Sequence, residues 1–167
     1  MDAFDRYLTA LNKVLVALLL AATFAVVIVN VVLRYGFGSS FAWGDEVARF
    51  LMIAGAFFGA GIALREGRLV AITALQDVLP GTARKGLRAG IAVLMLAFMG
   101  ALVWYGAAFA QFGWNKETMA TQIPRGVAYL AIPVGAGLFI LHLLLFLRSF
   151  VRGDFQDPVS LAEEGAE

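Results

Sequence analysis

Residues 14–33 read VLVALLLAATFAVVIVNVVL, and this stretch decides the fold. It carries no charge and only two polar side chains, Thr23 and Asn30. About 20 apolar residues carry a helix across a bilayer at roughly 1.5 Å per residue. A cleaved secretory leader has a shorter apolar core, about 7–15 residues, followed by a small-residue cleavage site. Here the run is longer, Asp2 and Asp5 stand in its lead, and no such site precedes Arg34. It reads as a retained helix.

Working outward, three more runs have spanning length: 47–64, with Arg49 near its start; 89–110, free of charge; and 127–147, which holds Pro133 and His142. Lipid offers backbone groups no hydrogen-bond partners, so each span has to be a helix that satisfies its own. The segments of about ten alternating residues that build a membrane barrel are absent from the sequence. The expected fold is all-α, an integral membrane protein with four transmembrane helices over residues 1–153. An acidic tail, 154–167, reads as disordered. Composition agrees: 61% of residues are hydrophobic, 15% are charged, and mean hydropathy is +0.83. Soluble domains run at roughly 45–50% apolar and about 25% charged.

Lys and Arg set the orientation. Nine of them (Arg6, Lys13, Arg65, Arg68, Arg84, Lys85, Arg88, Arg148 and Arg152) fall on the side of the two termini. Four (Arg34, Arg49, Lys116 and Arg125) fall toward the other side. Both termini are therefore expected in the cytoplasm, with loops 36–44 and 111–124 facing outward. Residues 69–79 (LVAITALQDVL) are apolar but too short to span; they read as a short interfacial helix, an extension of span two, or a partly buried loop. Trp104, Tyr105, Trp114 and Tyr129 sit toward the outer interface, where aromatic anchors belong.

Several chemistries find no residues to carry them. With no cysteine there is no disulfide, thiolate metal site, iron–sulfur cluster or cysteine nucleophile. Bis-histidine haem needs two histidines and the chain has one, His142, which reads as a hydrogen-bonded helix-end residue. No Gly-x-x-x-x-Gly-Lys-Ser/Thr loop is present to cradle ATP. A net charge of +1 points to no nucleic-acid partner. Ion-conducting proteins place ionisable groups at mid-membrane depth, and spans one, three and four have none near their centres. The reading is no enzyme, no catalytic residue, no metal and no cofactor.

What the spans do carry suits packing. Asn30 is expected to find a partner across a helix interface. Ala17, Ala21 and Ala25 recur every fourth residue, and Gly55 and Gly59 form a small-xxx-small face. The densest polar cluster is Arg34-Tyr35 followed by Phe41-Ala-Trp43-Gly-Asp45-Glu46-Val-Ala-Arg49. Asp45 and Arg49 are i,i+4, and Glu46 and Arg49 are i,i+3, so carboxylate–guanidinium pairing on one helix face is expected. The structural and assembly candidates are Asn30, Arg34, Trp43, Asp45, Glu46, Arg49, Gly55 and Gly59.

At this cluster the chain resembles the small membrane subunit (Q-type, four-helix) of tripartite ATP-independent periplasmic (TRAP) transporters. The resemblance rests on Asn30-Val-Val-Leu-Arg34-Tyr35, Phe41-Ala-Trp43-Gly-Asp45-Glu46-Val-Ala-Arg49-Phe50, Gly59-Ala-Gly61-Ile-Ala-Leu-Arg65 and Gly67. It is concentrated in residues 28–80; elsewhere only the hydrophobic pattern agrees. The family often has a His and, four residues later, an Asp where this chain has Leu69 and Thr73. The resemblance implies a bacterial inner-membrane scaffold subunit of a sodium-coupled importer of a small organic acid, a carboxylate or sulfonate. Its partners would be membrane lipid, a large multi-helix membrane subunit that binds substrate and sodium, and a periplasmic substrate-binding protein. Two rival readings, a membrane anchor for a redox enzyme and a self-sufficient four-helix exporter, would need paired histidines and a membrane-centred acid respectively.

Overall fold

The computed structural model describes residues 3–66 and 80–152. These form α1 (Ala3–Gly36), α2 (Gly44–Arg65), α3 (Gly81–Gly113), α4 (Arg125–Tyr129) and α5 (Ala131–Arg152). Four segments are long and apolar enough to cross a membrane, and α4 and α5 together make the fourth. The interfacial helix expected at 69–79 and the acidic tail lie outside the described residues.

Local chemistry sets the helix ends. Asp45 and Glu46 stand in the first turn of α2 and Arg65 in its last, each complementing the helix dipole. Pro80 and Pro124 directly precede α3 and α4, where a missing amide costs nothing. Pro133 breaks the fourth span. It cannot donate to the Tyr129 carbonyl four residues back, and its ring crowds that carbonyl, so the helix yields at Leu130. The Leu130 amide still reaches Gly126 at 3.0 Å and the Val134 amide reaches Leu130 at 3.1 Å, so the two pieces form one kinked span.

α1 is longer than its apolar window. Its 34 residues cover about 50 Å, against a hydrocarbon core of roughly 30 Å. The reason is a single seam toward α2. Among the buried or half-buried positions, Asn12, Val16, Leu19, Thr23, Val26, Asn30 and Leu33 are spaced alternately four and three residues. That spacing keeps one helix stripe against its neighbour. Gly55 and Gly59 on α2 receive it: a Cβ on Gly55 would stand 3.7 Å from Leu20 and 3.9 Å from Leu19, and one on Gly59 3.6 Å from Val16. The expected small-residue face of α2 therefore does pack. The alanine stripe does not: Ala17, Ala21 and Ala25 are exposed on the far side of α1. Regular spacing alone does not tell which side of an all-apolar helix faces the protein.

The helices lie in a row, not a closed bundle. α1 packs on α2, α2 on α5, and α5 on α3. Burial follows that order: 33% of the apolar window is buried in the α4–α5 span, but only 6% in α1 and 11% in α3. The apolar core sits where α2, α3 and α5 meet, around Leu64, Ala92, Phe139, Leu143 and Phe150.

Candidate functional site

The turn from α1 into α2 is built on Asn30. Its side chain is 4% exposed. Its amide nitrogen donates to Asp45 Oδ1 at 3.0 Å, and its oxygen accepts the Phe41 amide at 2.9 Å. Gly44 allows this approach, since a Cβ there would stand 3.0 Å from the Asn30 side chain. Arg34 completes the corner by donating to Asp45 Oδ2 at 3.1 Å, and Phe41 and Trp43 stack at 5.1 Å over the connecting segment. Asn30, Arg34 and Asp45 thus come together, while Trp43 stacks on Phe41.

Glu46 and Arg49 behave otherwise than expected. Asp45 is bonded to Asn30 and Arg34 on α1, not to Arg49. Glu46 turns away to the loop between α3 and α4, where its Oε2 accepts the amides of Ala120 and Thr121, each at 3.0 Å. That loop folds back on itself: the Thr118 amide donates to Ile123 at 3.0 Å, the Arg125 amide to Lys116 at 2.8 Å, and Gln122 takes a positive φ of 55°. Two loop amides converge on one carboxylate oxygen, and that pair of bonds, rather than the guanidinium three residues on, fixes the Glu46 side chain. Arg49 is exposed and, among the described residues, has no hydrogen bond or ion pair.

A second polar cluster lies at the opposite end of the α1–α2 interface. Asp5 accepts both terminal nitrogens of Arg65, Nη2 to Oδ1 at 2.5 Å and Nη1 to Oδ2 at 3.0 Å. Both side chains are nearly buried, and the guanidinium lies over Phe146 at 5.9 Å. Nearby, the Asn12 amide nitrogen donates to the Phe58 carbonyl at 3.1 Å and meets His142 Nε2 at 3.0 Å. An amide nitrogen only donates, so this network assigns Nε2 as acceptor and the ring proton to Nδ1. His142 is fully buried against Gly61, where a Cβ would come within 2.7 Å of the ring. The hydrogen-bonded histidine agrees with expectation; its burial between three helices does not follow from its place near a helix end. Apolar length and charge bias do not single out Asp5 or Asn12, although the α1 seam continued N-terminally from Val16 reaches Asn12 and then Asp5 at heptad spacing.

Asn30 with Asp45, Asp5 with Arg65 and Asn12 with His142 are thus bonded across helix contacts, and the helices are long, apolar and largely exposed. This defines a multi-pass α-helical membrane protein. Residues 23–153 match the family described as tripartite ATP-independent periplasmic transporters, DctQ component, and the chain belongs to that family. It is 31% identical over 147 residues to a Haemophilus influenzae protein described as a TRAP transporter small permease, covering 87% of this chain and 89% of that one. It is 30% identical over 139 residues to the ectoine TRAP transporter small permease protein of Halomonas elongata (81% and 71% covered). It is 27% identical over 135 residues to the sialic acid TRAP transporter small permease protein of Vibrio cholerae (81% and 78% covered).

Proposed function

We propose that this small permease subunit is a non-catalytic scaffold, packed against the large membrane subunit of a sodium-coupled TRAP transporter that imports a small organic acid. Sodium and substrate bind the large subunit, and a periplasmic binding protein delivers the substrate to the assembled complex. The observation that carries this reading is the open row of helices. α1 packs chiefly on α2, and α3 packs on the fourth span, so both leave apolar faces open to whatever lies beside them. The polar groups form closed ties at the two ends of the α1–α2 interface, a distribution that suits a rigid support better than a route for an ion.

The relatives' names give ectoine and sialic acid as cargo of those transporters, so cargo varies within the family. Selectivity here is assigned to the partner subunits. The experiment is purification of the tagged chain in mild detergent with mass spectrometry of what accompanies it. A stoichiometric multi-helix membrane protein, with sodium-dependent uptake only when both are reconstituted, is the expected result. Uptake by the large subunit alone, or purification of this chain without a partner, refutes the scaffold role.

We also propose that both termini are cytoplasmic. Because the chain has no cysteine, single substitutions report without background. Ser39→Cys and Met119→Cys should react in intact cells with a membrane-impermeant maleimide, and Thr82→Cys should not. The reverse pattern inverts the topology.

A further inference from the structure

Beside the Glu46 tether, a groove of about 380 Å³ runs between α2 and the loop–α4 segment. Arg49 and Arg125 stand in its walls, with Phe50, Ala128 and Tyr129 among its apolar lining. The two carboxylates that reach it are engaged elsewhere, Asp45 with Asn30 and Arg34, and Glu46 with two loop amides. The cations are not engaged to the same degree. Arg125 uses its Nε for the Glu117 carbonyl at 2.9 Å, and its two terminal nitrogens have no partner among the described residues. Arg49 has none at all among them.

Arg49 stands one turn inside an apolar helix, directly before Phe50-Leu-Met-Ile. A guanidinium at that depth is costly unless an anion meets it. Its planar fork of donors matches the paired oxygens of a phosphate, and Arg is more weakly hydrated than Lys, so it gives up water for such a contact more readily. A charged wall above an apolar floor has the polarity profile of a lipid at the level of its glycerol. We propose that this groove binds the phosphate group of a phospholipid, with Arg49 and Arg125 donating to its free oxygens. Phe50, Ala128 and Tyr129 then cover the first methylenes of an acyl chain. The groove becomes a bound-lipid site on the small subunit itself, independent of the transported substrate and of which side of the membrane it faces.

The test is native mass spectrometry of the delipidated full chain titrated with dioleoyl phosphatidylglycerol, with dioleoylglycerol and inorganic phosphate as the comparison ligands. One phosphatidylglycerol should bind. Arg49→Gln and Arg125→Gln should each weaken it about fivefold, and the double variant about thirtyfold, following the strength of a single basic residue near an anionic headgroup. Arg49→Lys, which keeps the charge but loses the fork, should fall between. Arg6→Gln, an exposed cation on α1 near its N-terminus, should bind as the parent does. Undiminished binding by the double variant overturns the proposal, as does equal binding of dioleoylglycerol. Displacement by millimolar inorganic phosphate makes this a soluble-anion site instead. Failure of the double variant to co-purify with the large subunit, with lipid binding unchanged, assigns the arginines to a partner's carboxylate and refutes the lipid site.

Discussion

Removing the Asp5 carboxylate should cost the fold more than removing the whole ion pair. Asp5→Leu leaves the Arg65 guanidinium nearly buried, with an Nε that already lacks a hydrogen-bond partner among the described residues. Breaking one side of a buried pair costs about 3–5 kcal/mol, because a charge remains without compensation. The pair lies in the first turns of α1 and the last turn of α2, close to the helix ends, so the lower figure applies: about 3 kcal/mol, or roughly two orders of magnitude in the unfolding constant. Arg65→Met should cost a similar amount by stranding Asp5. The combined variant Asp5→Leu with Arg65→Met replaces the pair by apolar side chains and should stand within about 1 kcal/mol of the parent. The assay is equilibrium unfolding in mixed micelles as the fraction of dodecyl sulfate rises, followed by far-ultraviolet circular dichroism. Two results refute the reasoning. A single variant within about 1 kcal/mol of the parent means that water or headgroups already reach the guanidinium. A double variant equal to the sum of the singles means that the two charges do not compensate each other.

Three further outcomes are expected. Glu46→Gln should speed hydrogen exchange at the amides of Ala120 and Thr121 by roughly tenfold, because a neutral oxygen holds them less well than a carboxylate; exchange mass spectrometry of peptides covering 114–124 reads this, and unchanged rates remove the tether. Asn30→Leu should destabilise by about 1–3 kcal/mol, since it strands the Phe41 amide and takes one donor from Asp45; the same unfolding titration measures it. Gly61→Ala should destabilise by about 1–3 kcal/mol, because its Cβ would meet a histidine ring fixed by Asn12, whereas Gly86→Ala in α3, with nothing within 4 Å, should stabilise by about 0.5–1 kcal/mol. Thermal melts in detergent that rank the two glycines the other way count against the tight α2–α5 approach.

The four spans could be read from apolar length because lipid enforces the helix; what touches what is not enforced in the same way. Asn30 could be placed, since a lone amide in an apolar run has to face protein. The Asp45 partner could not be found by looking along one helix. The i,i+4 rule offers Arg49, but the tight turn at Gly44 brings Asn30 and Arg34 of α1 to the carboxylate first. The Glu46 tether joins residues 74 and 75 positions apart, which no local pattern encodes. Asp5 and Asn12 were hidden for a different reason: an apolar-window reading stops at the first charge, so the polar start of α1 fell outside the span. The phase of Thr23 and Asn30 was nonetheless available. Polar residues in a lipid-crossing helix mark its protein side, and projecting that side at heptad spacing excludes Ala17, Ala21 and Ala25 while reaching Val16, Asn12 and Asp5.

That same phase bears on what the helix pair can do. The α1–α2 interface is tied at one end by Asn30 to Asp45 and to the Phe41 amide, and at the other by Asp5 to Arg65 and by Asn12 to the Phe58 carbonyl. Between the ties, Gly55 and Gly59 face the side chains of Leu19, Leu20 and Val16. Sliding α1 along α2 by a single turn would break the ties at both ends together, and each buried polar group left without its partner costs about 1–3 kcal/mol. It would also drive the Asn30 side chain off the one residue, Gly44, that leaves room for it. A helix pair with one register and a penalty for leaving it resists shear, which suits the scaffold role proposed above. The scaffold reading gains support from this cost of motion, independently of the row arrangement and of the family to which the chain belongs.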